Sequence, residues 1–331
     1  MNRDLLDIAV FGATGLAGSQ VLASLGESNL RLGNVRAFGG ARRAPSVDSA
    51  EFGSRSIPVE PVARHADLAA HVAVLCVPQK VAALLAPALQ KRGVFVVDVG
   101  GRAGLDAPLW IPGQDLPAAA LAAKALRTPS PAGWLVATAV NALDGCTGVR
   151  GSLSLPAGAL GRAAMDELGQ QVLTTYTHTD PPRVEFPEGL AFDTLPQDAE
   201  EEEWSDAELR LADEVSALTG LAADAVNVTL CTQPLFSGMT AALQFEGVDL
   251  DAARSAFEDA PGLTTVTRRE RLRPRAFATK TGVGWGRLRA DRAGAGVHGW
   301  FVGDNLSGAA GEVVVGALRA LASSSLMGND A

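Results

Sequence analysis

The sequence predicts an α/β protein of two domains, a doubly wound parallel sheet followed by an α+β domain on a mixed or antiparallel sheet. Short β-branched apolar runs alternate with helical repeats up to about residue 127. A glycine-rich turn joins the first strand to the first helix. Beyond that point strands with one covered face replace the strand–helix alternation.

A chain of 331 residues is long enough for two domains and a large core. Hydrophobic residues make up 47% and aromatics only 5%, with Tyr176 the single tyrosine, so the core must be built of Ala, Val and Leu. The net charge of −9 argues against a nucleic-acid or anionic-membrane surface, because phosphate contacts need clustered Lys and Arg. Cys76, Cys146 and Cys231 are far apart, which indicates neither a disulfide framework nor a metal cluster. The opening "MNRDLLDIAVFGATG" runs directly into a strand, leaves no room for a secretion signal, and no apolar run reaches spanning length. A cytoplasmic location is the expectation.

In chain order, "DIAVF" is a strand of the kind buried on both faces of a parallel sheet. It feeds Gly12, Gly15 and Gly18, after which Val21, Leu22 and Leu25 repeat with helical spacing. Glycines there permit a tight turn, close approach of backbone to a pyrophosphate, and close helix–strand packing, while the helix N-terminus offers free N–H groups. Thr14 and Leu16 lie within the same turn. The next strand, "NVRAFGG", ends where an adenosine ribose would lie. An NAD site usually places an acid there; this chain has Gly39 and Gly40, then Arg42 and Arg43. Guanidinium groups suit a 2′-phosphate, which favours NADP over NAD; a solvated basic loop is the alternative. The cofactor set is thus Gly12, Thr14, Gly15, Leu16, Gly18, Gly40, Arg42 and Arg43. "HVAVLCV" and "GVFVVDVG" follow as strands around the helix "KVAALLAPALQKRG", with Cys76 inside the first as a small core residue.

In the second half "GVRGSLSLP", "AVNVTLCTQPLF", "TAALQFEGV" and "GVGWGRLRAD" are strands. "GRAAMDELGQQVL" and "SDAELRLADEVSALTG" are helices, the latter with a capping box of Ser205 and Glu208. The acidic run "DAEEEEWSD" before it reads as a solvated loop. A final strand, turn and apolar helix are expected to return to the first domain. Two polar features carry competing explanations. In "TYTHTDPP", an extended backbone would put Tyr176, His178 and Asp180 on one face as a pH-sensitive or substrate cluster; the alternative is a polar loop running into Pro181-Pro182. Cys146 in "LDGCTG" is either a shifted nucleophile or a turn thiol, and no helix follows it to lower its pKa. His65 and His71 flank a short helical stretch, and His298 precedes Trp300. A short-chain dehydrogenase needs lysine four residues after its tyrosine, whereas Asp180 stands there.

Taken in order, "GATGLAG", "GARRAP", "VVDVGG", "LPAGALGRAAMDEL", "AFDTLP", "LADEVSALTGL", "VTLCTQPLFSG" and "WFVGDNLSGAA" resemble the aspartate-semialdehyde dehydrogenase family over nearly the whole length. N-acetyl-glutamyl-phosphate reductases share that architecture. The resemblance implies a Rossmann-like NADP-binding domain at 1–127 and 306–331, a dimerisation domain at 128–305, and a homodimer. It also implies a catalytic set of cysteine, glutamine, arginine and histidine, whose positions fall here on Pro131, Leu155, Thr232 and Met239. The substrate-binding glutamate is matched by Glu214. Nucleophile, orienter, anion clamp and proton shuttle are thus replaced together, as in divergent USG-type paralogues without the catalytic cysteine. The nicotinamide-side turn is one residue short, "DNLSGAA", and keeps Asn305 as its cofactor contact. Two functions follow. One is a catalytically inactive NADP-binding protein with a regulatory or interaction role toward a small molecule or protein. The other is an active NADP-dependent oxidoreductase on an aldehyde or oxo group, with a relocated site.

Overall fold

The computed structural model describes residues 5–40, 49–198, 203–294 and 296–324. Contacts divide the chain into two units, Met1–Pro129 with Ala310–Ala331, and Ser130–Ala309. The first runs β1 (Leu6–Phe11), α1 (Leu16–Glu27), β2 (Leu32–Gly39), β3 (Ser49–Phe52), β4 (Arg55–Pro61), β5 (Val72–Leu75), α2 (Gln79–Gln90), β6 (Phe95–Asp98), α3 (Ala118–Ala123) and β7 (Ala125–Arg127). These strands form one sheet in the order β3-β4-β2-β1-β5-β6-β7. Its centre is parallel, as the continuous apolar runs require, and Ile8, Val10, Val72 and Val96 are almost wholly buried. Phe11 and Phe38 stack at 4.6 Å between neighbouring strands.

Two details of this sheet depart from the sequence expectation. The edge carries a hairpin, β3 antiparallel to β4, so the sheet is not parallel throughout. Its run "SAEFGSRSIPVEP" is polar and half-exposed, and an edge strand needs little apolar patterning to pair. Cys76 lies just past β5 instead of inside it, although its N–H still donates to Phe11 O at 2.9 Å. Cys76 is half-buried, and desolvation pushes its thiol up to about 12, the reverse of an activated nucleophile.

The second unit runs α4 (Pro131–Asn141), β8 (Gly148–Pro156), α5 (Arg162–Thr177), β9 (Leu195–Pro196), α6 (Asp206–Thr219), β10 (Val226–Gln233), β11 (Met239–Glu246), α7 (Leu250–Asp259), β12 (Leu263–Thr265), α8 (Pro274–Phe277), β13 (Val283–Ala290) and β14 (Gly296–Gly303). Its sheet order is β12-β13-β14-β11-β8-β10-β9. The β8–β10 and β12–β13 pairs are parallel and the others antiparallel, which makes it mixed. Phe245, Phe257, Phe301 and Trp285 pack ring against ring in this core. Helix α4 packs on α6, and α6 on β10. The last helix, α9 (Val313–Ser323), belongs to the first unit and packs on α1. Among the described residues, no helix is long and apolar enough to cross a membrane.

Of the two readings of "TYTHTDPP", the polar loop into Pro181-Pro182 holds from Thr179 onward, and the extended cluster does not form. Helix α5 continues through Tyr176 to Thr177, and His178 ends it in a left-handed cap at φ 54°. Thr174 and Thr175 donate their hydroxyls back to the carbonyls of Gln170 and Gln171, which lets a β-branched run stay helical. Tyr176 is exposed and meets Phe192 edge-on at 6.4 Å.

The same helix holds the following loop through two buried polar side chains. Glu167 accepts N–H bonds from Val184 (3.0 Å), Glu185 (2.8 Å) and Phe186 (3.0 Å), and one from the Gln171 amide (3.1 Å). Gln171 in turn accepts from Leu190 and Ala191 at 2.7 and 3.1 Å. Burial works against the Glu167 anion, but the three backbone donors and Gln171 together outweigh it and hold its pKa below the usual carboxylate range. This contribution is therefore complete above the unfolded-state value of about 4.3 and is lost as pH falls through the lower folded value. Glu167→Gln is expected to cost roughly 1–3 kcal/mol at neutral pH. Its denaturation curves should also lose stability less steeply on acidification than those of the wild type.

Candidate functional site

The glycine turn is built by steric necessity. Gly12 has φ 83°, and a Cβ there would lie 2.1 Å from Cys76 O. A Cβ on Gly18 would lie 2.1 Å from Gly12 O, so helix α1 can approach the turn only with glycine at that position. Gly15 caps α1 in extended conformation with no side-chain acceptor, and the first turn of α1 holds no acidic residue. The N-terminal end of the helix dipole is thus left for an external anion. Thr14 and Leu16 are half-buried beside it. At the end of β2, a Cβ on Gly39 would fall 3.5 Å from Thr14 Cγ2, whereas Gly40 is exposed with open space around it. Arg42 and Arg43 lie outside the described residues. This arrangement of close glycines and an uncapped helix start fits a dinucleotide phosphate. Residues not anticipated from sequence shape the neighbouring loop. Asp98 Oδ2 accepts from Ala103 N at 2.7 Å, and the buried Thr128 hydroxyl accepts from Gly100 N at 2.9 Å. The "VVDVGG" run signalled Asp98 and Gly100 alone.

In the second unit, α4 starts at Pro131, which has no N–H to leave unsatisfied. Ser130 is its N-cap, accepting from Gly133 N at 3.1 Å. Glu214 Oε2 accepts from both Ser130 N (2.9 Å) and Ser130 Oγ (2.5 Å), while Oε1 accepts from Arg210 Nε at 2.8 Å. Glu214 is only 5% exposed, and both of its oxygens are taken up by the chain itself. Helix periodicity places Arg210 and Glu214 on one face, since they are i and i+4.

Leu155 and Thr232 are direct partners across the β8–β10 ladder. Met239 opens β11, next to Thr240, which faces Ser154 of β8. These three residues therefore share one end of adjacent strands. Thr232 and Met239 are buried and Leu155 is half-buried. Thr232 occupies the inward row of β10 with Val226, Val228 and Leu230, and Gln197 donates to its hydroxyl at 3.3 Å. Asn305 is buried, and its Oδ1 accepts from Gly238 N at 3.0 Å. Its Nδ2 has no acceptor among the described residues.

The other thiols and imidazoles offer little chemistry. Cys146 donates to Gly148 O at 3.4 Å within a turn, and burial raises its pKa, the opposite of nucleophile activation. Cys231, which carried no motif in the sequence, sits with Sγ 3.1 Å from Ser154 Oγ. His71 Nδ1 accepts from Asp7 N at 2.9 Å, and His298 pairs with Asp291 at 3.1 Å. Among the described residues no group of His, Cys, Asp and Glu could hold a metal ion.

A glycine-turn parallel-sheet unit joined to a mixed-sheet unit defines the class of two-domain nicotinamide-dinucleotide proteins. Residues 7–126 match the semialdehyde dehydrogenase NAD binding domain, and residues 155–307 match the semialdehyde dehydrogenase dimerisation domain. The chain belongs to the semialdehyde dehydrogenase family. It is 25% identical to a USG-1 protein homolog of Azotobacter vinelandii, covering 79% of this chain and 80% of that one. It is 24% identical to an aspartate-semialdehyde dehydrogenase of Rickettsia conorii, covering 80% and 81%. In fold it resembles aspartate semialdehyde dehydrogenase II from Vibrio cholerae, solved with ASA (TM-score 0.85, 22% identity, 96% and 99% covered). A probable aspartate-semialdehyde dehydrogenase from Pseudomonas aeruginosa is also similar (TM-score 0.80, 24% identity, 95% and 98% covered).

The bonds at Ser130 define a structural role that can be measured. Ser130→Ala removes a helix cap and is expected to cost about 1 kcal/mol. Glu214→Ala strips acceptors from Ser130 and the half-exposed Arg210 and should cost roughly 2–4 kcal/mol. Denaturant midpoints at unchanged slope test both; a Glu214→Ala protein as stable as wild type would contradict the role.

Proposed function

We propose that this chain is a catalytically inactive member of the family, a homodimer that binds NADP and acts through regulation or interaction with a small-molecule or protein partner. The observation that carries the proposal is Glu214. It is the one ionisable residue kept among the family's catalytic and substrate-binding positions, and its carboxylate is tied to Ser130 and Arg210. Pro131, Leu155, Thr232 and Met239 supply no thiol, amide, guanidinium or imidazole at the remaining positions. A carbonyl addition needs a nucleophile and a proton carrier acting together, and loss of the nucleophile alone ends covalent catalysis.

Within this proposal the two domains are 1–127 with 306–331 and 128–305. When bound, NADP would supply a hydride acceptor. Gly12, Gly15 and Gly18 would admit its pyrophosphate, with Thr14 and Leu16 lining the turn and the N–H groups of α1 facing the charge. Gly40 leaves room at the ribose, and Arg42 and Arg43 are the residues suited to a 2′-phosphate. Asn305, in the second unit, has an amide nitrogen without an acceptor among the described residues, a donor of the kind a carboxamide oxygen takes.

Titration of the full chain with NADPH and NADH, followed by tryptophan fluorescence, tests the cofactor. NADPH should bind in a saturable manner and more tightly than NADH, with Arg42→Glu weakening NADPH by roughly tenfold. No saturable change with either nucleotide would remove the cofactor from the proposal. Reduction of NADP by aspartate semialdehyde with phosphate present should not exceed the buffer rate. Turnover that disappears in Cys146→Ala or Cys231→Ala would establish an active oxidoreductase with a relocated nucleophile instead.

A further inference from the structure

Beside the β12–β13 edge of the second sheet lies a cavity of about 210 Å³. Arg254 of α7, Arg269 of the turn after β12, and Arg287 of β13 line it, together with Thr265, Thr267 and Trp285. Among the described residues, no acidic side chain belongs to its wall. Among the described residues, none makes a side-chain hydrogen bond or ion pair with these three guanidinium groups, unlike Arg36, Arg150 and Arg210, which are paired. Residues 254–292 carry ten Lys and Arg against four Asp and Glu, within a chain of net charge −9. The basic character is therefore local, and like charges gathered on one wall repel unless a counter-charge enters.

The backbone is specialised at the same place. Strand β13 carries one extra residue opposite β14 between Gly286 and Arg289. Arg287 lies in this bulge at φ 53°, a left-handed conformation that glycine normally supplies. A bulge redirects the side chain it carries, and an arginine held there against its own preference is the sort of strain that accompanies binding sites. Gly286 beside it allows β13 to approach the turn closely, because a Cβ would lie 2.6 Å from Val266 O. Trp285, part of the same wall, has a buried indole N–H with no acceptor among the described residues. Unfilled donors of this kind are rare in folded proteins and call for an explanation.

We propose that this cavity binds the phosphate group of a small molecule, with Arg254, Arg269 and Arg287 as its charge partners and Thr265 and Thr267 as hydroxyl donors. Planar guanidinium forks match the oxygens of a phosphate in a way that an apolar or cationic ligand could not exploit. The lining lies wholly within the second unit, and the proposal does not rest on cofactor binding or on the presence or absence of catalysis.

The test uses the full chain, titrated with inorganic phosphate and with pyrophosphate at constant ionic strength, followed by thermal shift and tryptophan fluorescence. Saturable binding is expected, with chloride giving none. Arg269→Gln and Arg287→Gly should each weaken it by about tenfold or more. Arg287→Gly places glycine where the backbone favours it, so its melting temperature without ligand should not fall below that of the wild type. Binding of both anions assigns a monophosphate ligand, and of pyrophosphate alone a diphosphate. Unchanged affinity in both variants would overturn the proposal. So would no saturable effect with either anion up to about 10 mM.

Discussion

A helix buried on nearly every face must satisfy its own N-terminus, and much of the second unit is arranged around that requirement at α4. Eight of its eleven residues are buried, including Trp134, Leu135 and Val136. Ala132 and Gly133 are buried in its first turn, and an unmet donor there costs as much as a lost hydrogen bond. Pro131 removes one donor, Ser130 accepts from Gly133, and Glu214 accepts from Ser130. The carboxylate comes from α6, so the same bonds fix α6 against α4. Gly308 then allows the 304–309 turn to pass over Trp134, since a Cβ there would lie 2.3 Å from the indole ring.

That arrangement bears directly on function. Glu214 Oε2 accepts twice from Ser130 and Oε1 accepts from Arg210, so the carboxylate is oriented by bonds within the chain. The neighbouring positions follow the same pattern, with Thr232 in an inward sheet row and Met239 fully buried. Core packing and cap satisfaction thus use the residues whose positions the family resemblance associates with chemistry. The glycine turn shows the reverse. Its glycines are required by contacts within the fold, yet the geometry they create leaves helix α1 uncapped and open to an anion.

Features governed by neighbours in the chain were legible before the structure. "GVRGSLSLP" became β8 with matching ends, and Ser205 with Glu208 formed the full capping box, because both depend on residues a few positions apart. Tyr176 misled for a local reason of a different kind. Threonines that favour extended backbone were held in α5 by hydroxyl bonds one turn back, and the alternation they suggested never arose. The β3–β4 hairpin went unseen because an edge strand carries little apolar signal.

The sequence alone determined most of the succession of strands and helices and the glycine turn, since periodicity and residue chemistry are local properties. The tertiary structure decided what the remaining polar groups are for. Ser130 and Glu214 lie 84 positions apart, and Arg254 and Arg287 meet at one cavity only because α7 packs beside β13. Whether a charge is a spent structural bond or an unpaired one waiting for a ligand depends on what the fold brings beside it, and no spacing in the chain encodes that distance.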